Sequence, residues 1–246
     1  MQLRRFAIFL LITFLSFPLF AQKGGNSTGG AQNRANYYGE KIHFGFYLGV
    51  NRTNFVITTV NNWQTLAGDS LKSILSSPST GFNLGIVSEM AVQEYVTLRF
   101  LPDIAFGQRN LEYHFANRDT FDLVRKVEST FLDFPINCKV RSKRFGNFAA
   151  YMIGGGKYTL DLASQKDVHN TGIPLSQQVV KLAKNDFAIE VGAGVDFFLP
   201  YFKFGIELKT SLGLKNMLVP DANSILSTTI DNLHSKVFLI SFTFEG

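Results

Sequence analysis

Only one cysteine and one tryptophan occur in 246 residues, and histidine appears four times. A lone thiol excludes an intramolecular disulfide framework, and the scattered His43, His114, His169 and His234 have no zinc-ligand spacing. Cys138 is also far from the N-terminal leader, which excludes a lipoprotein. Charge is scarce: 17% of residues are Asp, Glu, Lys or Arg, with a formal net charge of +5. Arg4 and Arg5 belong to the leader, so the remainder carries about +3, too weak a balance to argue for nucleic acid. Mean hydropathy is only +0.08, which excludes a polytopic helical membrane protein but not a barrel, because half of every barrel strand is polar. What the chain has instead is phenylalanine, 25 residues of it, and 21 glycines.

Both residue types meet in the stretch from Asp186 to Gly213. Phe187, Ile189, Val191, Ala193, Val195 and Phe197 share one face of a strict period-2 run, and Glu190, Gly192, Gly194 and Asp196 share the other. After Leu199-Pro200-Tyr201, Phe202, Phe204, Ile206 and Leu208 alternate with Lys203, Gly205, Glu207 and Lys209. Alternation of this length predicts an antiparallel hairpin with one apolar and one polar face. If Pro200 and Tyr201 fill a two-residue turn, Gly194 faces Glu207, Gly192 faces Lys209, Val195 faces Ile206 and Phe197 faces Phe204. Long charged side chains then lie across from glycines, as a crowded polar interior requires. A soluble sandwich would bury the apolar face and expose the charges. The pattern predicts a membrane barrel, apolar outside and polar inside.

Residues 1–21 join Arg4 and Arg5 to an apolar run, Phe6 to Phe20, too short to span a bilayer as a helix. They read as a secretory signal peptide cleaved between Ala21 and Gln22. The Gly-, Asn- and Gln-rich residues 22–41 read as a flexible periplasmic tether, and 42–246 as the barrel domain. Besides the hairpin, alternation covers about 43–54, 80–91, 95–106 (with Phe115 as the alternative end), 127–141 and 147–160, then a last run through Phe238, Ile240, Phe242 and Phe244. Pro102 predicts a bulge or local edge, Pro135 a second lost donor, and Gly154-Gly155-Gly156 leaves the faces of its strand unassigned. The segments 55–79, 107–126, 161–184 and 215–234 read as longer polar links, with a short helix near Leu66–Leu75. Short turns alternate with these links. The expected fold is therefore all-β, an eight-stranded antiparallel up-and-down transmembrane barrel integral to the outer membrane, with both termini periplasmic.

The alternation assigns Phe44, Phe46, Phe134, Cys138, Val191, Val195, Phe204, Ile206, Phe242 and Phe244 to lipid. It turns Arg99, Lys139, Lys203 and Lys209 inward against Glu89, Asp103, Asp133, Glu190, Asp196 and Glu207. In so narrow a lumen these charges must pair, which makes them a structural plug rather than an ion path. The basic turn Arg141, Lys143 and Arg144 reads as a solvated turn touching headgroups, with an acidic partner as the alternative.

Gly154-Gly155-Gly156-Lys157 lacks the Ser or Thr of a phosphate loop, and Gly192-Ala193-Gly194 lacks the third glycine of a dinucleotide fingerprint. His114, Glu112 and a loop serine could be drawn as a triad, but no spacing supports it. No catalytic residue, metal, cofactor, nucleic acid or small-molecule substrate is expected.

The residues HFGFYLGVN, FLDFPINCKVRSK, YMIGGGKYTLDLAS and FAIEVGAGVDFFLPYFKFGIELKTSLGLKN resemble the PorT family of Bacteroidota outer-membrane β-barrels, over most of residues 42–245. The resemblance implies a non-enzymatic accessory part in type IX protein secretion and, in gliding species, in motility. Its partners would be outer-membrane lipid and other type IX secretion components. The alternatives are a lipid-modifying barrel enzyme, a small-solute porin-like barrel and a soluble lipocalin-like carrier.

Overall fold

The computed structural model describes residues 32–66, 71–115, 123–164, 178–221 and 224–246. The expected signal peptide, with its cleavage site between Ala21 and Gln22, lies outside them. The alternating runs form nine strands: β1 (Ile42–Thr59), β2 (Leu71–Gln93), β3 (Val96–Phe100), β4 (Asp103–Phe115), β5 (Leu123–Arg141), β6 (Phe148–Asp161), β7 (Asn185–Phe198), β8 (Lys203–Gly213) and β9 (Ile230–Glu245). All pairings are antiparallel, and β1 pairs with both β2 and β9, so the sheet closes on itself. Closure removes the sheet edges that a membrane cannot satisfy.

The nine segments make eight staves, because β3 and β4 both sit between β2 and β5. The interruption falls at Leu101-Pro102, where proline cannot donate to the ladder. Pro135 lies opposite this break, and its carbonyl accepts the Leu101 N–H at 3.2 Å. Two proline defects thus share one level of the wall.

The β7–β8 hairpin pairs Gly194 with Glu207, Gly192 with Lys209, Val195 with Ile206 and Phe197 with Phe204. In β6, Tyr151 and Ile153 are buried and Met152 is 70% exposed. The odd residues therefore face inward, which assigns the strand whose period the glycines erase.

Strand lengths differ from the sequence expectation on one side of the barrel. The segment 55–79 is mostly strand: β1 runs to Thr59 and β2 starts at Leu71, and among the described residues between them a helical turn covers Trp63–Leu66. Likewise β5 starts at Leu123 and β9 at Ile230, inside segments expected to be links, while β4 reaches Phe115, the longer of the two ends read from the sequence. The physical reason is a second core. Phe55, Leu71, Leu111, Tyr113 and Leu233 point inward above the charged layers and pack on Val180, Leu182, Met217, Leu218 and Leu226 from the connecting segments. That apolar cluster gives the strand extensions something to bury. Among the described residues, no helix is long and apolar enough to cross a membrane.

Candidate functional site

Inward residues of the staves stack in layers between two closed ends. The layer nearest the short turns is built around Arg99, which is fully buried. Its Nη1 donates to Glu207 at 2.7 Å and its Nη2 to Glu245 at 3.4 Å, while its Nε lies 3.3 Å from Glu89. Lys139 reaches Asp196 at 2.7 Å and Glu89 at 3.3 Å; Lys203 reaches Glu245 at 2.8 Å and Glu89 at 3.2 Å. Tyr151 donates to Glu207 at 3.0 Å. It does so across Gly194, its partner in the ladder, where a Cβ would collide with the tyrosine hydroxyl. That glycine is required by close approach, not by backbone conformation.

The next layer joins Lys209 to Glu190 at 3.2 Å and Lys157 to Asp133 at 2.8 Å. Asn137 donates to Glu190, Thr159 to Asp133, and Asn83 to Asp103. All ten lumen charges named from the sequence are buried here. Several participants were missed, among them Lys157, Glu245, Arg109, Asp161 and Asp186. Lys157 follows the glycine triplet that hid its face, Glu245 continues the inward side of Ser241 and Thr243, and Arg109 lies beyond the clear part of its run. Arg109 is held between the rings of Phe55 and Phe131, at 4.4 and 4.7 Å, and donates to Ser129 and Ser235. The space left within the layers is small, with cavities of ≈ 30 and ≈ 10 Å³.

The short-turn end is closed by residues read as part of a flexible tether. Residues 22–31 lie outside the described structure, but 33–41 fold back onto the barrel with a 3-10 turn at Tyr37–Gly39. Asn33 donates to the Phe198 carbonyl at 3.0 Å, and Arg34 donates to that of Tyr201 at 2.7 Å. The basic turn holds this strap. Arg144 donates to the Asn33 and Arg34 carbonyls and lies 3.7 Å over the Phe198 ring. Arg141 stacks on Tyr38 and donates to the Glu94 carbonyl. These two arginines are occupied within the fold, and Lys143 alone of the three stays exposed.

The named lipid-facing residues all lie on the outer wall, from Phe44 at 63% and Phe46 at 52% exposed to the half-buried Phe134, Val195, Phe204, Ile206 and Phe244. Val191, Phe242 and the free Cys138 are exposed there too. Aromatic rings from neighbouring staves stack along the short-turn rim, as Phe46 does on Phe244 at 5.0 Å. An apolar outer face around a paired, charged interior is the reverse of a soluble protein.

Residues 13–219 match the outer membrane protein beta-barrel domain family. The chain belongs to that family. Membership agrees with the closed sheet and makes this an integral outer-membrane barrel. Among solved structures, OprG of Pseudomonas aeruginosa is 12% identical, covering 83% of this chain and 94% of its own, with a TM-score of 0.46. AlkL, solved in DMPC bilayers, is 9% identical over 91% of this chain and 96% of its own, with a TM-score of 0.44. Ail of Yersinia pestis, crystallised with the heparin analogue sucrose octasulfate, is 11% identical over 84% of this chain and 100% of its own, with a TM-score of 0.37. Similarity this low says nothing of activity. No curated protein matches the chain.

In this family member, His114 and Glu112 lie on the outer wall of the strand extensions, beside Ser77 of β2 rather than a loop serine. Ser77 donates to Glu112, whose other oxygen lies 3.8 Å from His114. The serine is bonded to the carboxylate rather than to the imidazole, the wrong order for activating a nucleophile. Among the described residues, no cluster of His, Cys, Asp and Glu could hold a metal ion.

Proposed function

We propose that this barrel is a non-enzymatic, accessory component of the type IX protein secretion system, of PorT type, acting by holding or assembling other secretion components. The resemblance of its strand motifs to PorT proteins suggests the system. The observation that supports a scaffold is the lumen: Arg99, Lys139 and Lys203 are buried against Glu89, Asp196, Glu207 and Glu245, and leave no passage for a folded cargo. Surfaces for partners are then the connecting segments and the strap end, since segments on a rigid scaffold are where binding usually resides. Deleting the gene should strand secreted cargo inside the cell, and complementation with a Glu112→Gln or His114→Gln variant should restore export. Normal export with an altered lipid A mass spectrum in the deletion strain would overturn the proposal in favour of a lipid-modifying enzyme.

A further inference from the structure

The outward faces of β1 and β9 change character abruptly along their length. On β1 the exposed series Phe44, Phe46, Leu48 and Val50 ends at Arg52; on β9 the series Phe242, Ile240 and Phe238 ends at Lys236. Arg52 pairs across the ladder with Phe238, and Asn54 with Lys236. The two cations are therefore diagonal neighbours on one face, with Cβ atoms roughly 7 Å apart. Both are exposed, and among the described residues neither side chain makes a hydrogen bond or an ion pair. The outward positions of β1, β8 and β9 within their ladders carry no carboxylate, from Phe44 to Thr58, Phe204 to Leu212, and His234 to Phe244.

These positions sit where the apolar band ends, on the side away from the short turns and termini. A barrel of this family has longer connections outside the cell and short turns in the periplasm, so this border is the outer-leaflet headgroup level. Long cationic side chains there extend from apolar stems toward the polar layer. What that layer offers a pair of unneutralised cations is phosphate. Below them, Phe238 at 45% exposed, Val50 at 49% and Leu212 beside Lys236 form an apolar seat for acyl chains.

We propose that Arg52 and Lys236 form a binding site for the phosphorylated headgroup of an outer-leaflet lipid. The guanidinium and ammonium grip one phosphate group, and the acyl chains lie along Phe238, Val50 and Leu212. This site is independent of the secretion role, so either reading can fail without the other.

The test uses the mature barrel in neutral detergent micelles, titrated with diphosphoryl lipid A and with its dephosphorylated form, with the bound fraction read by native mass spectrometry. The intact barrel should retain the phosphorylated lipid and not the dephosphorylated one. Arg52→Gln with Lys236→Gln should lower retention about tenfold, the loss expected of two exposed charge-assisted contacts. Lys143→Gln, which removes an exposed charge at the opposite rim, should leave retention unchanged. Equal retention by the double variant and the intact barrel would overturn the site. So would displacement of the lipid by inorganic phosphate at equal concentration, which would show a site reading phosphate without the lipid.

Discussion

The Tyr37 ring lies face to face on the His43 imidazole, with 3.8 Å between centroids and 10° between planes. His43 faces inward at the start of β1, so the contact folds the chain back over the mouth of the barrel. Burial raises the Tyr37 hydroxyl above the usual phenol range, so it stays protonated and donates to Glu245 at 3.4 Å. The Lys203 ammonium, 4.7 Å from the Tyr37 ring centroid, joins the strap to the charged layer beneath it.

Truncating this anchor should release the strap. Tyr37→Ala removes an almost fully buried aromatic ring and should cost about 3 kcal/mol. Hydrogen exchange should then speed up across residues 33–41 while the amides of β7 and β8 stay protected. Unchanged exchange in 33–41 would show that the ring does not hold the strap.

Removing Arg99 should be among the most damaging single changes in the lumen. Arg99→Met leaves Glu89, Glu207 and Glu245 facing one another with only Lys139, Lys203 and Lys209 nearby. Breaking a buried ion pair from one side typically costs about 3–5 kcal/mol. Unfolding by urea in bilayers should show that loss, and adding Glu207→Leu should recover part of it. A single variant as stable as the wild type would mean that these pairs do not hold the lumen together.

The outer face can be probed at Ile206, which is flanked by Val195 on β7 and Phe242 on β9. A lysine there, near the midplane of the apolar band, should cost roughly 2–4 kcal/mol. Ile206→Leu should cost little. Equal stability of the two variants in bilayers would contradict the lipid-facing assignment.

The lumen itself predicts an electrical silence. With cavities of ≈ 30 and ≈ 10 Å³ between its ion pairs, the purified barrel should show no steady conductance in planar bilayers. A reproducible open channel would favour a small-solute pore.

Facing and local register were legible in the sequence because both are short-range properties. A strand alternates with period 2, so Glu190, Gly194 and Asp196 must share a side whatever the rest of the chain does. The turn at Pro200-Tyr201 then sets Gly194 opposite Glu207. Where alternation was erased, as at Gly154–Gly156, the inward Lys157 could not be recognised. Pro102 announced its own interruption, because the missing N–H is a property of the residue.

Contacts across the lumen were decided by tertiary structure alone. Arg99 meets Glu207, and Lys139 meets Asp196, only after the sheet closes with one particular stagger between staves. Nothing in the local pattern of either strand selects that partner. The same holds for the strap, whose Gly- and Asn-rich approach reads as unstructured until Tyr37 finds a stacking surface on His43, and for β1 and β2, which outgrow the apolar band because Phe55 and Leu71 find a core supplied by Val180, Met217 and Leu226. Alternation determines which way a side chain points; ring closure determines what it meets there.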